Sequence, residues 1–308
     1  MTTTDHHLVV GAGPVGRHVA ALLAARGSRV TVATRSGRST GVDGVRHVAL
    51  DASDADALSR AAEGAAVLYN CANPGDYTQW ERVWPPLAAS LLTAAERSGA
   101  VYAITGNLYP YGPVEGPMHE DLPDAATDHK GRLRARMWAD ALAAHRAGRV
   151  RAVEVRSSDF VGPGVGPNGH VSRVVPGALR GRTAWMIGRT DLPHTFTDVQ
   201  DAARTLVAAA EDPDAHGRAW HTPSNPPVSQ RQAVTDVLAA AGRPPVRVRS
   251  LRGPVLAAVA LASPFMREVR ELIYQWERPY VLDDTDARKH LGIEPTPWEE
   301  VCARTARQ

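Results

Sequence analysis

Leu8-Val9-Val10-Gly11-Ala12-Gly13-Pro14-Val15-Gly16, running on to Arg38, is the stretch on which the reading of this chain turns. Leu8 to Val10 is an apolar run that reads as a buried strand. Val15, Val19, Leu22 and Leu23 follow at helical spacing up to Gly27, and Arg29 to Ala33 reads as a second strand. A G-x-G-x-x-G match gains meaning from this strand–turn–helix–strand context. Gly11 suits a tight turn, Gly13 lets a pyrophosphate approach the backbone, and Gly16 lets helix and strand pack closely. Pro14 fits the first helical position, where its missing N–H is no loss, and Val15 continues the turn. The free N–H groups and positive dipole end of such a helix favour a bound anion. Gly11, Gly13, Pro14, Val15 and Gly16 are therefore expected to hold a dinucleotide.

Dinucleotide sites that take NAD place a carboxylate about 20 residues past the glycines, on the ribose 2′-hydroxyl. The second strand here ends Val32-Ala33-Thr34-Arg35-Ser36-Gly37-Arg38, without an acid. Arg35 and Arg38 suit a 2′-phosphate, which a carboxylate would repel. The expectation is NADP(H) in preference to NAD(H). The competing reading leaves both arginines as solvated loop residues.

Strand and helix patterns alternate onward, which argues for a parallel sheet covered by helices on both faces. Val45–Leu50 is expected as the third strand and Ala65–Asn70 as the fourth. Val101–Thr105 and Val150–Arg156 read as the fifth and sixth, with helices at Gln79–Ser98 and His129–His145. Asp51 ends the third strand on the ligand side and could reach an adenine, while Asp54 fits a helix cap better. Asn73-Pro74-Gly75 makes a turn over the cleft. The pattern then loosens into the Gly-rich loop 162–169, a strand Ala184–Ile187, a helix Asp198–Glu211, a strand Arg218–His221 and helices Ser229–Ala241 and Thr296–Arg307. The fold class expected is α/β: a Rossmann doubly wound parallel sheet with a smaller, mostly helical C-terminal substrate domain. Residues 1–160 plus 195–222 would form the nucleotide-binding domain, and 161–194 plus 223–308 the substrate-binding domain.

Composition narrows the classes. A net charge of +2 demands no nucleic acid, and the arginines are spread along the chain. Lys130 and Lys289 are the only lysines, so a lysine in this Arg-dominated chain draws notice. Two cysteines are too few for a disulfide framework, and no His spacing suggests a metal site. MTTTDHH has no signal-peptide character, and the longest apolar stretch, Val255 to Ala262, is too short to span a bilayer. A cytoplasmic protein with no membrane partner is the expectation.

Four segments now stand in order: Gly11–Gly16; Thr105-Gly106-Asn107-Leu108-Tyr109-Pro110-Tyr111-Gly112; Arg156-Ser157-Ser158-Asp159-Phe160-Val161-Gly162-Pro163-Gly164; and His194 to Arg204. Together they resemble the extended short-chain dehydrogenase/reductases, the NAD(P)-dependent epimerase/dehydratase family, over nearly the whole chain. The resemblance implies a catalytic Tyr-x-x-x-Lys pair on the helix after the fifth strand. The matching residues are Lys130 and Arg134, as in atypical members that have lost the pair. Asn107 stands where the family has a substrate-holding Ser. Further cofactor contacts are expected from Ala72, Thr105, Arg134 and Ser158.

Lys130 and Arg134 share a helix face. A neighbouring cation and desolvation would push Lys130 toward neutrality, so that it could exchange protons with a substrate oxygen. Arg134 cannot act as a base. Tyr109 is the other acid candidate, Tyr111 is expected to pack structurally, and Asn107 would orient the oxygen. His119, Asp121 and His129 are weaker candidates in the preceding loop. The substrate pocket is expected between Phe160, His170, Trp185, His194 and the C-terminal helices, with Trp185 better read as a core aromatic. Arg182 and Arg189 could meet an anion, yet no sugar-nucleotide signature is present.

Two readings remain. The first is an NADP(H)-dependent oxidoreductase acting on a small carbonyl or hydroxyl compound. The second is a non-redox NAD(P)-binding protein, either a dinucleotide sensor or a non-redox enzyme on the same fold. A homodimer paired through Gln79–Ser98 and His129–His145 is expected.

Overall fold

The computed structural model describes residues 5–253, 256, 261 and 263–307. Its first half alternates β1 His6–Val10, α1 Pro14–Ala25, β2 Arg29–Thr34, β3 Val45–Ala49, α2 Ala55–Ala62, β4 Ala65–Asn70, α3 Trp80–Ser98, β5 Val101–Asn107, α4 His129–Arg146 and β6 Arg151–Ser157. Then come β7 Asp159–Val161, α5 Val175–Ala178, β8 Ala184–Ile187, β9 Pro193–His194, β10 Phe196–Asp198, α6 Val199–Glu211, β11 Ala219–His221, β12 Val228–Ser229, α7 Gln230–Ala240 and β13 Val248–Leu251. The chain closes with helices Pro264–Val269, Tyr274–Glu277, Thr285–Leu291 and Trp298–Thr305.

Seven strands form one parallel sheet in the order β11-β6-β5-β4-β1-β2-β3. Strand order reverses between β1 and β4, and ligands of open α/β sheets bind at the carboxyl ends beside such a point. Successive residues of β1 face opposite sides. Leu8 and Val10 pack with Trp84 and Leu91 of α3 and Trp138 of α4. Val9 packs the other way, with Val19 and Leu23 of α1 and Leu206 of α6. Each such fully buried side chain contributes about 1.5–3 kcal/mol. A sheet covered on both faces needs apolar residues throughout, which is why these strands read as continuous runs rather than alternations.

The caps explain where the helices begin and end. Asp54 accepts from the N–H groups of Asp56 and Ala57 and so starts α2. Ser229 does the same for α7 through Gln232. Gly99, at φ +73°, closes α3 in the left-handed conformation.

The Rossmann-type sheet agrees with the sequence, with two extensions. β5 runs to Asn107, two residues past Thr105, paired with β6 through Asn107 and Ser157. Gly106 permits this, because a Cβ there would stand 2.7 Å from the Glu154 carboxylate. Beyond β6 lie three two-stranded pairs, β10–β7, β12–β9 and β13–β8. They frame a separate apolar cluster of Val171, Val175, Met186, Phe196, Val234, Val237 and Val301. Trp185 corrects the sequence reading: it is 47% exposed on β8, beneath the Arg249 guanidinium, rather than in the core. Most of the apolar stretch 255–262 lies outside the described residues. Among the described residues no helix is long and apolar enough to cross a membrane.

Candidate active site

A cavity of about 1050 Å³ opens along the carboxyl ends of β1, β2, β4, β5 and β6. At its centre is the glycine turn. Gly11 adopts φ +103°, and a Cβ there would meet the Cys71 carbonyl oxygen at 2.6 Å. A Cβ at Gly16 would stand 2.1 Å from the Gly11 carbonyl oxygen, so α1 can lie against the turn only as it is. Gly13 has nothing within 4 Å of its missing Cβ. The approach to the start of α1 is open, and Pro14 occupies the first helical position.

The walls carry polar groups with no protein partner. Among the described residues Thr34 Oγ1, Ser158 Oγ, Gln275 Nε2 and Tyr280 Oη are buried atoms without a hydrogen bond, and all four residues line the cavity. The open approach to Gly13 at the start of α1 fits the pyrophosphate of a dinucleotide.

One end of the cavity is formed by Arg35, Leu50, Asp51, Ala52 and Ser53. Asp51 accepts from the Ser53 N–H at 3.0 Å and its hydroxyl at 2.7 Å, and these bonds hold its carboxyl below the usual range. Arg35 is therefore the less committed charge at this end. Ala72 and Thr105 line the middle, and Arg134 stands beside them. Arg134 is buried, donates to the Thr105 carbonyl at 2.7 Å and lies 4.8 Å from the Trp84 ring. Burial lowers its pKa, with Glu154 opposing.

The other end is aromatic. Tyr77, Trp80, Tyr109, Phe160 and Tyr280 line it, with Asn107, Asp159 and Gln275 among them. Tyr109 and Tyr77 share a hydrogen bond of 2.9 Å between their hydroxyls. The Tyr109 N–H donates to the Asn107 carboxamide oxygen at 3.2 Å, which fixes both residues at the mouth of β5. Desolvation raises the pKa of both phenols, that of Tyr109 far more. Tyr280 is brought in from the C-terminal segment. Its N–H donates to the Pro193 carbonyl, its own carbonyl accepts from the Thr195 N–H, and the next residues bridge to Met118.

Asp159, two residues past the end of β6, is the carboxylate of this end. Its Oδ2 lies 3.0 Å from both His194 Nε2 and Trp276 Nε1. Burial acts to raise its pKa, but the adjacent His194 ring, with Trp276 bonding the same oxygen, overcomes this and holds it well below the ordinary carboxylate range.

Several expected site residues stand elsewhere. Lys130 does not line the cavity. Its Nζ is bonded to Glu268 and, at 3.3 Å, to Glu271, and its side chain is 4% exposed. His170 is also off the wall: it stacks on Trp276 at 4.5 Å and bonds Gln230 at 2.5 Å. Arg38 lies outside the lining. Arg189 pairs with Asp191 on the surface, His129 pairs with Glu81, and neither they nor Arg182 reach the cavity. Tyr111 packs structurally, donating its hydroxyl proton to His221 at 2.8 Å.

The sequence reading missed Tyr77, Asp159, Gln275 and Tyr280. Asp159 carried a signal, since it follows a strand's carboxyl end. Tyr77, in the loop after β4, carried a similar one. Gln275 and Tyr280 had none, because they arrive from far along the chain.

The parallel sheet and its glycine turn define a Rossmann-type α/β protein. The profile of the NAD dependent epimerase/dehydratase family matches residues 7–221, and the chain belongs to that family. Solved structures with the same fold include MoeE5 in complex with UDP-glucose and NAD, at 21% identity and a TM-score of 0.79, covering 98% of each chain. The UDP-glucose 4-epimerase of Thermus thermophilus in complex with NAD is 19% identical, with a TM-score of 0.78 and 98% of each chain covered. The dTDP-glucose 4,6-dehydratase of Bacillus anthracis with NAD is 15% identical, with a TM-score of 0.79, covering 98% of this chain and 96% of that one. Curated protein sequences give no match.

Proposed function

We propose that the protein is an NADP(H)-dependent oxidoreductase that reduces a small carbonyl compound or oxidises the corresponding alcohol. The observation that carries the reading is one continuous cavity joining the glycine turn to the paired phenols of Tyr77 and Tyr109. A bound nicotinamide supplies or accepts the hydride. Gly11, Gly13, Pro14, Val15 and Gly16 would hold the pyrophosphate, and Ala72, Thr105, Arg134 and Ser158 the nicotinamide half. Arg35 favours a 2′-phosphate, since β2 ends without a carboxylate. The related structures named above hold NAD, and the proposed preference for NADP(H) rests on Arg35 and the missing carboxylate alone.

Tyr109 takes the proton-transfer role. In the reducing direction its Oη would donate a proton to the carbonyl oxygen, which becomes the hydroxyl of the alcohol. Desolvation keeps Tyr109 protonated, so it is a proton source and not a base. Tyr77, bonded to the Tyr109 oxygen, hydrogen-bonds the resulting phenolate, and a proton from solvent restores the phenol after product release. The Asn107 carboxamide, with its oxygen engaged by Tyr109, offers its NH2 to the substrate oxygen. Lys130 serves instead as a tie between α4 and the segment 263–277.

The test follows NADPH absorbance with a panel of small aldehydes and ketones. Tyr109→Phe is expected to lower kcat by about 10²–10⁴-fold while NADPH affinity stays the same. Equal turnover by the variant would remove Tyr109 from this role.

A further inference from the structure

The aromatic end of the cavity carries a negative charge presented to the ligand space. Both protein contacts of Asp159 fall on Oδ2, from His194 and Trp276. Oδ1 has no bonded partner among the described residues, and the Asp159 side chain is 19% exposed although His194, Trp276 and Tyr280 around it are buried. Arg173 feels its charge without lining the cavity. Arg134, a buried cation of the wall, is turned to the Thr105 carbonyl and the Trp84 ring, and the Lys130 ammonium, 5.7 Å from the Tyr77 ring, is paired with Glu268 and Glu271. Tyr77, Tyr109 and Tyr280 line the same end, and the Tyr280 hydroxyl is an orphan.

From this arrangement we infer that the substrate carries a positively charged amino group, received by Asp159 Oδ1 beside the aromatic residues Tyr77, Tyr109 and Tyr280 that line the same end. The inference names a substrate class for the oxidoreductase proposed above and rests on that reading. Its physical basis is direct. A carboxylate beside aromatic faces attracts an ammonium through charge and through the ring quadrupoles, and the desolvated setting strengthens both. The same carboxylate repels a phosphorylated substrate. The His194 and Trp276 bonds keep it ionised, so it offers an acceptor and not a proton.

The probes are benzylamine, charged at neutral pH, and benzyl alcohol, its neutral counterpart of equal size. Each is titrated into cofactor-free and NADPH-containing protein, with tryptophan fluorescence as readout. Benzylamine is expected to bind about tenfold more tightly or better, a difference of about 1.4 kcal/mol. Asp159→Asn should bring the two probes within about twofold while NADPH affinity holds. If Asp159→Asn does not fold, Tyr280→Leu removes an aromatic face, keeps the carboxylate and should lower the preference severalfold. Equal binding of the probes, binding of neither, or a preference that survives Asp159→Asn overturns the inference. NADPH binding without amine preference sinks this inference alone. Amine preference without NADPH binding sinks the oxidoreductase reading and leaves the cation site standing.

Discussion

The hydroxyl oxygens of Tyr77 and Tyr109 lie 2.9 Å apart, joining the loop after β4 to the loop after β5 at the wall of the cavity. Each phenol has its pKa raised by burial, so both keep their protons and one hydroxyl donates to the other. A phenolate formed at Tyr109 gains a hydrogen bond from Tyr77. Tyr77→Phe removes that bond and should lower kcat by about tenfold, since a single hydrogen bond to a charged group is worth about 1.5–3 kcal/mol at most. The pH–rate profile should shift with it. A Tyr77→Phe enzyme with unaltered kcat and profile would place Tyr77 outside the proton path.

Lys130 gives a contrasting prediction. Its ammonium is buried between Glu268 and Glu271, each about one-third exposed. Lys130→Met leaves two carboxylates facing each other without a cation, which should cost about 1–3 kcal/mol after allowance for their solvent access. Thermal melting should show the loss, and kcat of the folded variant should stay within about tenfold of the parent. A drop of about 10³ in kcat at full stability would return the proton-transfer role to Lys130.

Acid should unfold the protein through its buried histidines. Burial lowers the pKa of His170 and His221 to about 3 each. The His221 Nδ1–H donates to the Asp283 carbonyl at 2.6 Å, so its Nε2 accepts from Tyr111 and the ring is neutral. In the unfolded chain a histidine titrates near its ordinary value of 6.5. Between that value and about 3 the unfolded state binds protons that the folded state does not. Stability is therefore full above this window and falls as pH drops through it, by about 1.4 kcal/mol per pH unit for each residue. Melting temperatures should decline steadily from pH ~7 to pH ~5, and His221→Gln should flatten the slope. A flat profile in the parent protein contradicts the assignment.

Much of this architecture is legible in the sequence for a local reason. The glycine turn, the apolar runs of a sheet covered on both faces, and the caps at Asp54, Gly99 and Ser229 each act within a few residues. The cofactor half of the cavity is legible for the same reason, because its residues end consecutive strands. The substrate half is not. Tyr280 reaches the wall because its segment is hydrogen-bonded to Pro193 and Thr195, a pairing with no local pattern. Lys130 is chemically suggestive in the sequence because Glu268 and Glu271, which neutralise it, lie more than a hundred residues away. Trp185 alternates with buried neighbours on β8 and so could face either way. It faces solvent.

Cofactor binding tests the central claim most directly. NADPH and NADH are titrated into the purified protein and into Arg35→Glu, with fluorescence as readout. The account predicts that NADPH binds at least about tenfold more tightly than NADH and that Arg35→Glu abolishes or reverses the preference. Failure of the parent protein to bind either nucleotide would contradict it: the cavity over Gly13 would then serve another ligand, and the oxidoreductase reading would fall.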